Sequence, residues 1–433
     1  MDKINKRLNV LIFPSGSGVS KEIFDSLKYI RWINIYGAES SDDNFSSYQF
    51  ENIILNTPYI SDVEGTLTFL KQVINDKKID CIFPAMDNII VFLKTYEDYL
   101  GVKIIAPNLD ICRICLSKQK TYELFKNIIN VPKLYDINNI TNDLFPLFIK
   151  PECGYGSRNS FKVETKHELE YYYNKIENLL ICEYLPGEEY TIDCFSSEKY
   201  GLISCEPRER LKTLNGMSIL TKHINNNEFK HIGKLINDTL KLKGVWFFQM
   251  KRNLNGTFTL LEIAPRIPGA LALHRSLGIN YALLSIYEHF GINIDSVIVN
   301  KYDISCYKYF ENNYKTNLEY DTIYVDLDDT IIIKNKVNTK LIQYLYYSKN
   351  IKKNIILITR NNNPIDTLNC FCISEKLFDN IIICETNVKK SEHMKSDMSI
   401  FIDDSYLERF DAYSKGLNVF SCDMIELLFD EKL

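Results

Sequence analysis

The stretch Phe148-Ile149-Lys150-Pro151-Glu152-Cys153-Gly154-Tyr155-Gly156-Ser157 decides how this chain is read. The apolar run from Leu147 to Lys150 predicts a short buried strand that ends on a lysine. A glycine-rich loop follows at once. This pairing suits a polyphosphate. The ammonium supplies charge, and the glycines let backbone N–H groups approach oxygens that a Cβ would block.

Three more groups follow in order. The first is Ile181-Cys182-Glu183-Tyr184-Leu185-Pro186-Gly187-Glu188-Glu189. The second is Glu206-Pro207-Arg208-Glu209-Arg210-Leu211-Lys212. The third joins Phe248-Gln249 to Leu261-Glu262-Ile263-Ala264-Pro265-Arg266. Gly244 to Met250 and Phe258 to Ile263 match as a hairpin across Asn255-Gly256, a favoured turn. Upstream, Ser117-Lys118-Gln119-Lys120-Thr121-Tyr122 opens a helix. Before that, strand and helix signals alternate. Strands are expected at Asn9 to Phe13, Trp32 to Tyr36, Asn52 to Leu55, Asp80 to Pro84 and Lys103 to Ala106. Helices are expected at Lys21 to Tyr29, Thr66 to Asn75 and Ile89 to Leu100. Such alternation predicts a parallel doubly wound layer. In Ser15-Gly16-Ser17-Gly18 the glycines either cradle a phosphate or only make the first tight turn.

This order of motifs resembles the ATP-grasp superfamily, most closely the carbamoyl-phosphate synthetase and biotin carboxylase branch of carboxylate–amine ligases. The resemblance covers roughly residues 8–300. It implies that Lys118 and Lys150 reach the ATP phosphates, and that Gly154, Gly156 and Ser157 belong to a loop closing over them. Glu183, Tyr184 and Leu185 form the adenine hinge, and Glu189 binds ribose. Gln249 and Glu262 hold Mg²⁺, with Mn²⁺ as an alternative. Arg266 steadies the transferring phosphate, while Arg208, Arg210 and Lys212 face the phosphate or the acyl substrate. The physical requirements agree. Mg²⁺ takes hard oxygen ligands, and a carboxylate made electrophilic by phosphorylation needs cationic clamps and exclusion of water. One departure stands out. Relatives usually read Glu-x-Asn-Pro-Arg, whereas here the middle residue is Ala264, so one metal ligand is in doubt.

A second constellation lies near the C-terminus. Ile323-Tyr324-Val325-Asp326-Leu327-Asp328-Asp329-Thr330 is an apolar strand ending in D-x-D-x-T. Ile355 to Ile358 is a strand ending at Thr359, Lys389 and Lys390 follow, and Phe401-Ile402-Asp403-Asp404 is a strand ending in paired acids. So many carboxylates at strand ends repel one another unless a cation bridges them. The set resembles the four motifs of the haloacid-dehalogenase (HAD) superfamily over about residues 320–433. It implies Asp326 as nucleophile, Asp328 as general acid and base, and Thr359 with Lys389 or Lys390 holding phosphate. Mg²⁺ is assigned to Asp326, Asp328, Asp403 and Asp404. The spacings leave no room for a large cap domain.

Composition sets the frame. The chain has 433 residues, enough for two to four domains. With 51 basic and 56 acidic residues, net charge -5, 45% apolar and 25% charged residues, it is an ordinary globular chain. This excludes disorder, collagen and a strongly basic nucleic-acid binder. Tyr and Phe are plentiful but not interleaved with a basic patch, so no nucleic acid is expected. Twelve cysteines are too sparse for a disulfide scaffold. Cys112-x-x-Cys115 and Cys370-x-Cys372 lack the further ligands a structural zinc needs, so buried cysteines are expected. The apolar run at Leu8 is too short for a signal or membrane segment, and no later run reaches the roughly 18 residues of a span. A reduced cytoplasmic protein without membrane contact is expected. His274 is expected in packing rather than in the acceptor pocket.

The expected architecture is α/β. A pre-ATP-grasp α/β domain (1–108) precedes an ATP-grasp α+β fold (109–305), and a HAD-like Rossmannoid α/β domain (318–433) follows a linker within 300–320. The expected activity is bifunctional. One part is an ADP-forming amide ligase and the other a Mg²⁺-dependent phosphatase of a pathway metabolite. The alternative is a phosphatase whose ATP-grasp part only binds nucleotide. The partners expected are a small carboxylate, an amine and a phosphorylated metabolite, with the oligomeric state, homodimer included, left open.

Overall fold

The structure is a computed structural model, and it describes residues 7–154, 156–309, 311–312, 314 and 316–429. The chain forms two compact units that part between Glu311 and Asn312.

The first unit opens with a parallel five-stranded sheet of β1 (Leu8–Phe13), β2 (Ile33–Ala38), β3 (Asn52–Ile54), β4 (Cys81–Pro84) and β5 (Lys103–Ile104). Its order is β3-β2-β1-β4-β5. β1 is apolar on both faces, as a central parallel strand must be, and it is buried along almost its whole length. The helix Gly18–Leu27 returns the chain from β1. Ser17 and Ser20 cap its start reciprocally. The Gly16 N–H donates to the Glu39 carboxylate, and a Cβ at Gly16 would lie 2.6 Å from that oxygen. An internal anion therefore occupies the turn at Gly16, so the phosphate reading of these glycines gives way to the tight-turn reading. The expected helix over Ile89 to Leu100 is two helices, Asp87–Thr95 and Glu97–Leu100.

A small antiparallel sheet follows, of β6 (Leu134–Tyr135), β7 (Leu147–Pro151), β8 (Phe161–Val163) and β9 (Leu179–Glu183), in the order β6-β9-β7-β8. The largest sheet is antiparallel and six-stranded. It contains β10 (Glu189–Ser197), β11 (Gly201–Leu214), β12 (Met217–His223), β13 (Gly244–Arg252), β14 (Phe258–Ala264) and β15 (Ser305–Tyr307), ordered β14-β13-β10-β11-β12-β15. β13 and β14 form the expected hairpin. The long strands β10 to β12 carry polar residues at alternate positions, so apolar periodicity did not reveal them. β15 lies inside the stretch read as a linker and extends the sheet beside β12.

One core joins the first sheet to the large one. Val10, Ile23 and Leu27 pack with Phe195, Val245, Tyr281 and Ile286, the last two on the helix Tyr281–His289. At about 1.5–3 kcal/mol for each large side chain buried, this interface holds the first sheet and the large sheet in one unit. His274 is fully buried, as a packing role requires, and bonds Asp193 through Nδ1 at 2.8 Å.

The second unit repeats a parallel α/β layer. β16 (Thr322–Val325) is central. A short hairpin of β17 (Ile332–Ile333) and β18 (Lys336–Val337) follows, then β19 (Asn354–Thr359), β20 (Asn380–Ile383), β21 (Ser399–Ile402) and β22 (Asn418–Phe420). The sheet order is β20-β19-β16-β21-β22. Only that hairpin and the helix Thr339–Asn350 lie between Thr330 and β19. Among the described residues no helix is long and apolar enough to cross a membrane. Cys112 and Cys115 are buried, but Cys370 and Cys372 are exposed, contrary to expectation, because they fall at the end of the surface helix Pro364–Cys370 and just beyond it.

Candidate functional site

The glycine loop after β7 roofs a cleft between the small sheet and the active face of the large one. Lys150, at the end of β7, lines it from a buried position, and its Nζ donates to Tyr122 Oη at 2.6 Å. Tyr122 in turn donates to the Leu261 carbonyl at 2.6 Å. Lys118 begins the helix Lys118–Phe125, which Ser117 caps through the Lys120 N–H. The Lys118 Nζ lies 3.2 Å from the Gly154 carbonyl. Burial pushes the Lys150 and Lys118 ammonium groups and the Arg210 guanidinium below their usual values, while Glu262 opposes the shift in each. Cations crowded into a desolvated cleft are what an incoming polyanion relieves.

Gly154, Gly156 and Ser157 line the cleft. Gly156 and Ser157 have positive φ (64° and 54°) and lie against Gly216 in the β11–β12 turn. A Cβ on Gly216 in that turn would come within 2.6 Å of the Gly156 backbone. Arg210 on β11 donates to the Gly216 carbonyl at 2.7 Å and pairs with Glu189 at 2.9 Å, so one side chain ties turn, strand and cleft together. Glu183 and Leu185 line the cleft after β9. The Glu183 carboxylate also accepts the Lys133 N–H at 3.0 Å.

Register places the expected metal ligands. Gln249 on β13 stands directly opposite Glu262 on β14, and both line the cleft. Their oxygens fit one hard cation that takes its remaining ligands from phosphate and water. Ala264 is buried opposite Phe247 and offers no oxygen.

Four expected residues stand elsewhere. Arg266 is outside the cleft lining. It grips Asp87 through Nε (2.7 Å) and Nη2 (3.0 Å) and lies over the Phe247 ring. Burial lowers its pKa, but the Asp87 carboxylate overcomes this and raises it. Lys212 is exposed, because it lies on the last part of β11, where Leu211 to Leu214 are all open to solvent. Tyr184 does not line the cleft, and its ring packs under the Lys162 ammonium. Asp87 and Tyr122 were missed because their roles depend on partners far away in sequence. Arg208 is buried against Asp193 at 2.9 Å, on the same face but outside the lining.

In the second unit, the ends of the parallel strands gather the acids. Asp326 follows β16 and Asp403 follows β21. Lys390 sits between them, 2.6 Å from Asp326 and 2.7 Å from Asp403. All three are buried. Burial raises the Asp326 carboxyl to about 7, against the pull of Lys390 and with the push of Asp403. Burial likewise raises Asp403. Asp326, Asp403 and Asp404 offer carboxylate oxygens within 4.8 Å of one another. An all-oxygen set of this charge fits Mg²⁺. The Asp328 side chain stands outside that group, exposed and bonded to Asn361 at 3.3 Å. Thr359 is fully buried at the end of β19 and accepts the Asn361 N–H at 3.0 Å. Lys389 is excluded from the site. It is exposed and pairs with Asp411, on the helix Tyr406–Ser414.

The family described as ATP-grasp in the biosynthetic pathway with Ter operon matches residues 175–308. A D-alanine–D-alanine ligase of Thermotoga petrophila is 26% identical over 141 residues, covering 30% of this chain and 46% of that enzyme. The Fusobacterium nucleatum enzyme of that name is 29% identical over 113 residues, covering 26% and 39%. The chain thus spans about half the length, or less, of these relatives. Among solved structures, an N5-carboxyaminoimidazole synthetase of Staphylococcus aureus complexed with ADP has a TM-score of 0.56 at 17% identity, covering 70% of this chain and 83% of that one. An L-amino acid ligase of Bacillus licheniformis has a TM-score of 0.55 at 16% identity, covering 66% and 74%. The structural likenesses show the ATP-grasp fold over about two thirds of this chain. With the family model, they support the ATP-grasp superfamily.

Proposed function

We propose that the first unit is an ATP-dependent carboxylate–amine ligase and the second a Mg²⁺-dependent phosphatase acting on a pathway metabolite. The observation that carries the ligase reading is the convergence of Lys118, Lys150, Arg210, Gln249 and Glu262 on one cleft under a glycine loop. A substrate carboxylate oxygen attacks the γ-phosphorus and ADP leaves. An amine then attacks the acyl carbon, the C–O bond to phosphate breaks, and an amide results. Lys118 and Lys150 hold the phosphates, and the loop keeps water from the acyl phosphate. The named relatives that form amide bonds, the D-alanine–D-alanine ligases and the L-amino acid ligase, favour this reading. Gln249 and Glu262 would hold one Mg²⁺, and Asp326, Asp403 and Asp404 another, which would supply charge neutralisation to phosphoryl groups.

For the second unit, the supporting observation is the buried Asp326–Lys390–Asp403 arrangement at the ends of central parallel strands. In a doubly wound sheet this is where ligands bind. The D-x-D-x-T order and its three companion motifs favour HAD-type chemistry. Asp326 takes the phosphoryl group and Asp328 handles the proton.

The test supplies ATP, Mg²⁺ and pools of carboxylates and amines to the wild type and to Asp326→Asn. Amine-dependent ADP release that persists in Asp326→Asn supports the ligase. Release of AMP instead of ADP would sink the acyl-phosphate route. A second reading, nucleotide binding without turnover in the first unit, rests on Ala264 and on Arg266 being held by Asp87. It predicts ATP binding without amine-dependent ADP in every pool, alongside robust phosphate-ester hydrolysis.

A further inference from the structure

Asp328 is exposed, and an exposed carboxylate has many rotamers. Catalysis of proton transfer needs one of them. The side chain of Asn361 supplies the constraint, and its hydrogen bonds leave no choice of orientation. The Asn361 Oδ1 accepts the Asn363 backbone N–H at 2.8 Å. A backbone N–H can only donate, so the oxygen end of the amide is identified. The Nδ2 end then meets Thr367 Oγ1 at 3.1 Å and Asp328 Oδ1 at 3.3 Å. The Thr367 hydroxyl spends its proton on the Asn363 carbonyl at 3.1 Å, so it accepts from Asn361. One amide proton goes to Thr367 and the other to Asp328. The Asn361 N–H donates to Thr359 Oγ1 at 3.0 Å, anchoring the amide to the end of β19.

We infer that Asn361 is a positioning residue that aims Asp328 at the leaving-group oxygen. The inference rests on the phosphatase reading of this unit. In the first half-reaction an Asp326 oxygen bonds to phosphorus, the bond from phosphorus to the leaving oxygen breaks, and Asp328 gives that oxygen its proton. In the second half, water attacks the aspartyl phosphate, its proton passes to Asp328, and the Asp326–phosphorus bond breaks. Phosphate and alcohol are released and both aspartates return to their starting forms. Asn361 touches only Asp328 in this cycle. Its donated hydrogen bond holds Oδ1 aside and leaves Oδ2 to carry the proton.

Leaving groups that need no proton separate positioning from mere folding. The full chain with Mg²⁺ is assayed on 4-nitrophenyl phosphate and on phenyl phosphate, for the wild type, Asn361→Ala and Thr367→Val. Nitrophenolate departs without help, whereas the more basic phenolate requires the acid. The inference expects Asn361→Ala to keep kcat/KM, which reports only the steps through departure of the leaving group, within about threefold on 4-nitrophenyl phosphate and to lose about 30-fold or more of it on phenyl phosphate. Thr367→Val, which frees the far side of the amide, should move kcat/KM in the same direction by less. Equal losses of Asn361→Ala on both esters, or none on either, overturn the inference and leave the phosphatase reading standing. If Asn361→Ala fails to fold, the same ester comparison on Thr367→Val decides, and an equal effect on the two esters overturns the inference. A wild type that hydrolyses neither ester removes the phosphatase reading, and the role of Asn361 with it.

Discussion

Lys390 shows how much one residue can carry. It pairs with two buried acids at the strand ends, Asp326 at 2.6 Å and Asp403 at 2.7 Å. Replacing Lys390 by Met leaves both acids buried without their cation, which costs about 3–5 kcal/mol by the usual measure of a broken buried pair. Phosphate-ester hydrolysis should fall by about 10²-fold or more, and both changes are read by thermal melts and assay. Lys389→Met, on the exposed neighbour, should change neither the melting temperature nor the hydrolysis. The pH response is also set here. Asp326 has a folded-state value of about 7, above the value near 4 of an unfolded aspartate. Between those values the folded chain holds a proton that the unfolded chain has lost. Stability from this group is therefore full below about pH 4 and declines as pH rises to about 7. Thermal melts in chelator from pH 4 to 8 should show Asp326→Asn gaining on the wild type across that window. A flat difference would contradict the raised value. The adjacent lysines also mark what sequence could resolve. Both fit the spacing of the phosphate-binding lysine, and only the backbone path after β20 turns one inward.

At the scale of elements, the glycine loop and the β11–β12 turn act together. Gly216 has φ of 75° and lies against Gly156 without room for a Cβ. Gly216→Ala should cost about 1 kcal/mol from backbone conformation alone. Pushing the loop off its seat should raise KM for ATP several-fold with a smaller effect on kcat, measured by steady-state ADP release. A second element-level prediction concerns Arg266. It belongs to the motif order, yet a bidentate pair to the start of the helix Asp87–Thr95 holds it outside the cleft. If Arg266 must leave Asp87 to meet the transferring phosphate, Asp87→Asn should preserve or raise amine-dependent ADP formation, whereas Arg266→Ala should abolish it. Equal loss in both variants would identify the pair as a structural clamp. Sequence order named Arg266 but held no trace of Asp87, because their contact spans 179 positions and depends on packing between two sheets.

At the scale of the whole molecule, each unit has its own core. Ile323, Val325, Leu341, Leu357 and Ile402 form one within the second unit, separate from the clusters of the first. The prediction is that calorimetry of the intact chain resolves two transitions. Proteolytic cleavage between Asn312 and Leu318 should leave both intact, and ATP should raise only the transition of the first unit. A single cooperative transition before and after cleavage would contradict this independence.

What the sequence determined by itself is the order of chemistry along the chain. The lysine at the end of β7, the glycine loop, Gln249 opposite Glu262, and the aspartates at strand ends could all be read there, because each is a local pattern: a strand end, a turn or a hairpin register. What only the tertiary structure decided is which members of that list meet. It turned Lys212 and Lys389 outward, drew Tyr184 and Arg266 away from the cleft, set Glu39 in the turn at Gly16, and brought Tyr122 to Lys150 and Asn361 to Asp328. The physical reason is that backbone pattern is written in neighbours a few positions apart. The partner that a buried charge or amide requires is chosen by packing among residues the chain brings together only when folded.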